Sequence, residues 1–512
     1  MSESRVRPRP LLPLWAAVIA AALSAFLMNL AYPESAVWVL AFPAVALVLV
    51  SLIGRRAGGA LLVGLVYGIV LFGFLVSFTA RYLGPVPWAA LSVVEGGLTA
   101  VALILTALAY RWMPRAFPGT AGRLLGLPIV IAALWVGREV FVGSWPYGGF
   151  PWARIGMSQA QSPLAPLTSW IGVGGLGFLM VLLVAMLIEI VRLRAWKKPL
   201  RLLVPAALVI VLFFTPLFPT TDAGTMRIAA VQGNGPTGYF DQREPFSVID
   251  AQTEATAPLY GEDVDLLVWP EGSLDTDPFQ NETLARRMTL ITTRIGAPLL
   301  ANAATGRNER YFNTSMLWTD AGGATQLHDK RHPVPFGEYV PDRAFYNALA
   351  PDLIGLIQRE YTPGENPPIV DVDGVAVGLA ICFDVIYDDV ITEGVNAGAQ
   401  VLVFQTNNAD FRGTDENLQQ LSFARMRAIE TGRSVVNIST VGRSQIIAPD
   451  GTTVTSLDEG EAGAMLEEVE LRTGVTAGVL LGPWLQQLLV WGGLAALVLA
   501  WWRARRRGAG ES

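Results

Sequence analysis

The chain is 512 residues long, 52% hydrophobic and only 16% charged, against about 25% charged in an average soluble chain, which excludes disordered, collagen-like and disulfide-scaffold classes. One cysteine (Cys382) and two histidines (His328 and His332) exclude an intramolecular disulfide and a Cys/His zinc cluster; no metal or cofactor is expected. The net charge of −6 hides a division: residues 218–475 hold 37 of the 43 acids and 17 of the 37 bases, a net of −20, and the rest of the chain carries +14.

In chain order, apolar runs of membrane-crossing length, about 20 residues each, fall at 11–30, 36–53, 58–79, 88–110, 126–142, 165–190, 202–217 and 485–502. The first follows Arg5, Arg7 and Arg9 and resembles a signal peptide, but its apolar part is long and further spans follow, which favours an uncleaved anchor. Basic residues then alternate by loop. Arg55 and Arg56, then Arg111, Arg115 and Arg123, then Arg192, Arg194, Lys197, Lys198 and Arg201, and finally Arg503, Arg505, Arg506 and Arg507 lie on the side of the N-terminus; the opposite short loops hold only Arg81 and Arg154. Positive loops face the cytoplasm, so eight spans place both termini inside and the acidic segment outside. The expected organisation is spans one to seven in 1–217, an extracytoplasmic domain in 218–475, and span eight with a basic tail in 476–512. Acidity on that side of the membrane says nothing of nucleic acid, and no nucleic-acid partner is expected.

Polar residues inside spans are functional candidates. Glu95 lies mid-span, whereas Glu189 beside Arg192 and the Arg138–Glu139 pair sit near span ends, where local pairing or interface anchoring suffices. Gly172, Gly174 and Gly177 spell G-x-G-x-x-G, but inside an apolar helix with no preceding strand; helix packing is the expected use.

Within the acidic segment, buried-strand runs occur at 226–232, 264–269, 298–303, 315–318, 375–383, 401–404, 435–439 and 444–447, with helical periodicity at 281–294 and 415–432. Strands alternating with helices predict an α/β domain. Three polar residues follow strand runs: Glu271 after "LLVWP", Lys330 after "TQLHD" and Cys382 after "VAVGLAI". Ligands and catalytic groups gather at such strand ends. A thiol needs a base to become a nucleophile; a carboxylate supplies that base, and an ammonium group favours thiolate and oxyanion alike. Taken singly, each has a structural alternative: Cys382 as a small core residue, Glu271 as a turn cap, Lys330 as a solvated side chain.

Together, Glu271 in "VWPEGS", Lys330 in "HDKRHPVPFGEYVP" and Cys382 in "GLAICFD" resemble the catalytic triad of the nitrilase/carbon–nitrogen hydrolase superfamily, and "ARMRAIETGR", ending at Arg433, is similar to another of its segments. "PFGEYVP" (335–341), the spans, and "GFPWARIGMSQ" (149–159) narrow the resemblance to the apolipoprotein N-acyltransferase family over nearly the whole chain. The resemblance implies a four-layer α-β-β-α sandwich joined to a multi-pass membrane domain of eight transmembrane helices. It implies a ping-pong reaction in a bacterial cytoplasmic membrane: Cys382 takes an acyl group from a phospholipid as a thioester and passes it to the α-amine of a lipoprotein's S-diacylglyceryl cysteine. Glu271 is then the base, Lys330 and the Phe383 N–H the oxyanion donors, and Glu338 the family's second glutamate; Asp384 and Arg433 are further supporting positions, and a monomer is expected. Two departures are visible. The family's Cys-Tyr-Glu reads Cys382-Phe383-Asp384, and its aromatic-rich loop reads Asn407-Asn408-Ala409-Asp410-Phe411, without tryptophan; Tyr239 or Phe240 stands where an aromatic follows the first strand. A membrane-anchored amidase or nitrilase, passing its acyl group to water, and a non-enzymatic binding protein are the competing readings.

Overall fold

The computed structural model describes residues 9–510, so Arg5 and Arg7 of the first basic segment lie outside the described residues. The chain divides into two compact units: residues up to Pro216 together with those from Leu481 onward, and Leu217–Leu480.

The first unit is helical: α1 Leu14–Leu30, α2 Ala41–Leu52, α3 Ala57–Leu75, α4 Thr79–Leu83, α5 Pro85–Ala116, α6 Leu127–Val142, α7 Thr168–Arg192 and α8 Leu203–Phe214 precede the second unit, and the last helix of the chain, Ala477–Gly510, returns to it. Among the described residues five helical stretches are long and apolar enough to cross a membrane: Ala57–Leu75, Pro85–Ala116, Gly122–Val142, Ala165–Arg192 and Ala477–Arg507. The other three expected spans are shorter apolar helices, Leu14–Leu30, Trp38–Leu52 and Pro199–Phe214. At about 1.5 Å rise per residue, helices of this length fall short of a hydrocarbon core about 30 Å thick unless flanking chain contributes. Helix α8 stops at Phe214 because Pro216 disfavours helical geometry at Thr215, whose ψ is 120°.

Small residues set the closest helix packing. A Cβ at Gly64 or Gly68 of α3 would come within 2.7 or 2.6 Å of the α5 backbone at Ala100 or Gly96. The G-x-G-x-x-G segment lies inside α7, where Gly174 packs on Gln486 and Gly177 on Ile155. The span-end charges pair locally: Glu189 with Arg123 and Arg192, and Glu139 with Arg138 at 3.1 Å, Trp135 Nε1 at 2.9 Å and the Ile155 N–H at 3.0 Å. Glu95 is buried, and its Oε2 has no hydrogen-bond partner among the described residues.

The second unit runs β1 Thr221–Gln232, α9 Ser247–Thr256, β2 Leu266–Val268, α10 Glu282–Ile295, β3 Leu299–Arg307, β4 Arg310–Thr319, β5 Gly323–Asp329, α11 Arg343–Leu349, α12 Pro351–Ile354, β6 Ile369–Val372, β7 Val375–Ile381, α13 Asp388–Asn396, β8 Val401–Thr406, α14 Glu416–Thr431, β9 Val435–Ser439, β10 Ser444–Ile447, β11 Thr453–Leu457 and β12 Gly463–Thr473, before α15, the Ala477–Gly510 helix. Two six-stranded sheets form, ordered β12-β1-β2-β3-β4-β5 and β11-β10-β9-β8-β7-β6. Parallel pairs (β1–β2–β3 and β7–β8–β9) occupy the centres and antiparallel strands flank them. Their apolar inner faces, including Ile228, Val268 and Leu300 of one sheet and Val377, Val403 and Ile438 of the other, bury each other. The first sheet's outer face is covered by α9 and α10 through Ile249, Leu284, Met288 and Ile291. Helices α13 and α14 pack on β7 and β9, completing a helix–sheet–sheet–helix order. Strand β1 opens this unit and pairs antiparallel with β12, which closes it, from Thr221↔Thr473 to Gln232↔Gly463.

Candidate active site

Three strands each deliver one reactive group just past their C-terminal ends: the central parallel strands β2 and β7, and the antiparallel edge strand β5. Strand β2 runs through Trp269 and Pro270 to Glu271; the turn is held by Gly272, at φ +63°, whose N–H donates to Asn302 Oδ1 at 2.8 Å. Strand β5 ends directly before Lys330, whose backbone N–H donates to the Asn313 carbonyl at 2.8 Å. Strand β7 ends before Cys382, which adopts φ +51° at the head of a short 3₁₀ turn. A non-glycine residue in this region is strained by about 1 kcal/mol or more, and such a sharp turn lifts the thiol out of the sheet.

The structure brings Glu271, Lys330, Glu338 and Cys382 together. Lys330 Nζ lies 3.3 Å from Glu271 Oε1 and 2.8 Å from Glu338 Oε2, with only 2% of its side chain exposed. Asn313 Nδ2 donates to both carboxylates, at 2.7 Å to Glu271 and 3.0 Å to Glu338. Its orientation is fixed because its Oδ1 accepts from Asn302 Nδ2 at 2.9 Å. Glu338 Oε2 also accepts from the Val334 N–H at 2.7 Å, folding the 334–338 loop over the ammonium group. Gly364 closes the other side: its N–H donates to the Lys330 carbonyl at 2.8 Å, and a Cβ there would sit 2.1 Å from the Asp329 carbonyl oxygen. Only glycine allows that approach.

Burial dominates the electrostatics. It pushes the Glu271 carboxyl above its ordinary range, a shift that Glu338 reinforces and that Lys330, Asn313 and the Cys382 thiol oppose. Burial disfavours the Lys330 ammonium, yet Glu271 and Glu338 outweigh it and hold the group charged, well above the usual lysine range. The Cys382 thiol is pushed well up, first by burial and then by Glu271, with Lys330 opposing. Burial thus favours the neutral form of the thiol, while the two carboxylates favour the charged form of the ammonium group beside it. A carboxylate, a thiol and an ammonium group converge on one point, a set whose chemistry can serve as base, nucleophile and oxyanion-stabilising charge. Among the described residues no group of three His, Cys, Asp or Glu side chains is arranged to hold a metal ion.

The remaining expected residues divide. Asp384 is fully buried and accepts from the backbone N–H groups of Arg331, at 3.1 Å, and His332, at 2.8 Å. It thus ties the Cys382 turn to the loop that carries Lys330; burial raises its carboxyl to about 6, with Lys330 and His332 pulling it down. The Phe383 ring is buried and packs edge-on against Tyr387 at 5.3 Å, and its backbone N–H directly follows Cys382. Arg433 is placed apart from these bonds: its guanidinium donates to the carbonyls of Ala399 at 2.8 Å, Thr431 at 3.0 Å and Gly474. The two divergent loops meet each other, through Tyr239 N–H to Asp410 Oδ1 at 2.7 Å and Thr237 Oγ1 to Asn407 Oδ1 at 3.2 Å.

Sequence reasoning missed Asn302 and Asn313, which orient the carboxylates, and Asn408, Glu416 and Gln420 on the far side of the sulfur. Asparagine is disfavoured in strands, and Asn302 and Asn313 in the middle of β3 and β4 were the one visible signal.

Residues 24–187 match the family model for the apolipoprotein N-acyltransferase N-terminal domain, and 227–476 match that for carbon-nitrogen hydrolase. An apolipoprotein N-acyltransferase of Mycolicibacterium smegmatis is 32% identical, the alignment covering 92% of this chain and 83% of the relative. This chain belongs to the apolipoprotein N-acyltransferase family. Family members from Azotobacter vinelandii and Pseudomonas aeruginosa are each 30% identical, covering 97% and 96% of this chain and 96% of each relative. Membership makes the chain an acyltransferase whose second unit is a nitrilase-type domain, and its apolar helices and bacterial relatives make it a bacterial membrane protein.

Proposed function

We propose that this enzyme moves an acyl chain from a membrane phospholipid, through a thioester on Cys382, to the α-amine of the S-diacylglyceryl cysteine at the N-terminus of a lipoprotein. The observation that carries the reading is the buried ammonium group of Lys330, held between the Glu271 and Glu338 carboxylates beside the chain's single thiol. In the first half-reaction Glu271 takes the thiol proton as sulfur attacks the ester carbonyl. Negative charge builds on the carbonyl oxygen, where Lys330 and the Phe383 N–H receive it. The carbon–oxygen bond then breaks, and Glu271 returns the proton to the departing lysophospholipid oxygen. In the second half the acceptor amine attacks the thioester, Glu271 removes its proton, and the carbon–sulfur bond breaks as the amide forms, with Glu271 returning that proton to the departing sulfur. Glu338 holds the lysine charged and aimed, and Asp384 fixes the nucleophile turn against the Lys330 loop.

Both substrates are lipids anchored in one leaflet, which suits a catalytic domain tethered to membrane spans at both of its ends. We place the domain, residues 218–475, outside the cytoplasm, with eight spans, both termini inside and the enzyme acting as a monomer. The asymmetry of loop arginines and lysines supports this orientation.

The test is a donor-chase experiment. Purified enzyme mixed with phospholipid gains one acyl mass on Cys382 that hydroxylamine removes, and a diacylated lipopeptide clears the adduct as a triacylated product. Release of free fatty acid alone supports a hydrolase instead, and full activity in Cys382→Ala refutes the mechanism.

A further inference from the structure

The sulfur of Cys382 has a second neighbour besides Glu271: Gln420 Nε2, on the first turns of α14, lies 3.5 Å from Sγ. Both ends of this side chain are specified. Gln420 Oε1 accepts from Asn408 Nδ2 at 2.8 Å, and the same nitrogen donates to Glu416 Oε2 at 2.6 Å. Asn408 is held this way round because its Oδ1 accepts from Ser439 Oγ at 2.6 Å, and that hydroxyl in turn accepts the Gly442 N–H at 2.9 Å. With the carbonyl end of Gln420 turned to Asn408, its N–H end points at sulfur. Asn408, Glu416 and Gln420 are each at most 3% exposed, so water does not substitute for these bonds.

We infer that Gln420 is a catalytic hydrogen-bond donor to the Cys382 sulfur, kept in its donating orientation by Asn408 and Glu416 as positioning residues; this rests on the acyl-enzyme reading above. An amide N–H interacts more strongly with a thiolate than with a thiol. The donor therefore stabilises sulfur when Glu271 has removed its proton, and again when sulfur leaves the carbonyl in the second half-reaction. It offsets the burial that pushes the thiol up. Glu416 sits at the outer end of the chain of bonds as a neutral acid: burial raises its carboxyl to about 8, Asn408 opposes this, and Glu271 and Glu459 add to it. An ionised group at this distance would oppose the thiolate.

The single thiol gives a readout that needs no acyl substrate: the pH dependence of iodoacetamide alkylation of the full-length enzyme. The titratable groups acting on the sulfur, Glu271, Lys330, Glu416 and Glu338, are all retained in Gln420→Leu. This variant is expected to move the alkylation profile upward by about one pH unit and to slow alkylation about tenfold at pH 7. In Asn408→Asp the carboxylate accepts from Gln420, turning the amide so that its oxygen faces sulfur; the profile moves the same way in the wild-type background and by less in the Gln420→Leu background. An unshifted profile in Gln420→Leu overturns the donor role, and equal shifts of Asn408→Asp in both backgrounds overturn the positioning role. The expected shifts in a protein that never acylates lipopeptide leave the donor role standing and refute the acyl-transfer reading; acyl transfer with an unshifted profile does the reverse.

Discussion

Replacing Lys330 by methionine keeps most of the side-chain volume and removes the one positive charge between two carboxylates. Its Nζ lies 3.3 Å from Glu271 and 2.8 Å from Glu338. At an effective permittivity of about 20, unit charges at this separation attract by about 5 kcal/mol, and stranding the partner of a buried pair costs about 3–5 kcal/mol. The variant relieves part of that cost by taking up a proton, because two adjacent carboxylates do not both ionise readily. With the cation that opposes burial gone, the Glu271 carboxyl is pushed further up and holds this proton, so the proposed base is lost together with the oxyanion donor. Thioester formation, followed by intact-protein mass after mixing with phospholipid at pH 6 to 9, is expected to fall by at least about 10²–10³ at pH 7. It should recover in part as pH rises and that proton leaves Glu271, while thermal unfolding reports a stability loss of about 3 kcal/mol. Wild-type acylation rates across that pH range refute the role assigned to Lys330; a deficit that does not vary with pH refutes the proton uptake by Glu271.

The titrations of two other buried groups have opposite signs. Glu416, raised to about 8 from 4.5, contributes stability that is complete below pH 4.5 and lost as pH rises toward 8; Glu416→Gln should therefore raise the unfolding temperature at pH 7 by several degrees, equivalent to about 3 kcal/mol. His328 is lowered to about 4 from 6.5 by burial, so its contribution is complete above pH 6.5 and lost as pH falls through 4; thermal melts of His328→Asn should lack about 3 kcal/mol of the acid-side decline. Arg433→Met leaves three backbone carbonyls without a donor and should lower stability by about 2–4 kcal/mol while acylation per folded molecule, measured at low temperature, stays within about twofold.

What could be read in the sequence followed the physics of burial. Strands β1 to β4 and β7 to β10 are apolar enough to stand out, and the three strand-end residues are legible because each is a polar residue directly after a strand run. Strands β6, β11 and β12 escaped notice for the complementary reason. β12 alternates acidic and apolar residues with one face in solvent, and its pairing with β1 joins segments more than 200 residues apart. The spans were legible as apolar runs, but hydropathy does not say how much of a run is helix, and the runs at 11–30, 36–53 and 202–217 yield helices of 17, 12 and 12 residues with turns around them. At the site, Glu271, Lys330, Glu338 and Cys382 were legible through their motifs. Asn313 and Gln420 were not, because a side-chain amide acquires its role only from what meets it across strands and helices distant in the chain.

The pairing of Thr221 with Thr473 has an architectural consequence. The first and last strands of the second unit are ladder partners, so the polypeptide enters and leaves it through two residues about 5 Å apart. To the chain on either side, more than 250 folded residues amount to a spacer one strand wide. Such a unit behaves as a cassette: it can be gained or lost between two helices without stretching the connection, since its own ladder carries the closure that a flexible loop of equal length would otherwise leave to chain entropy.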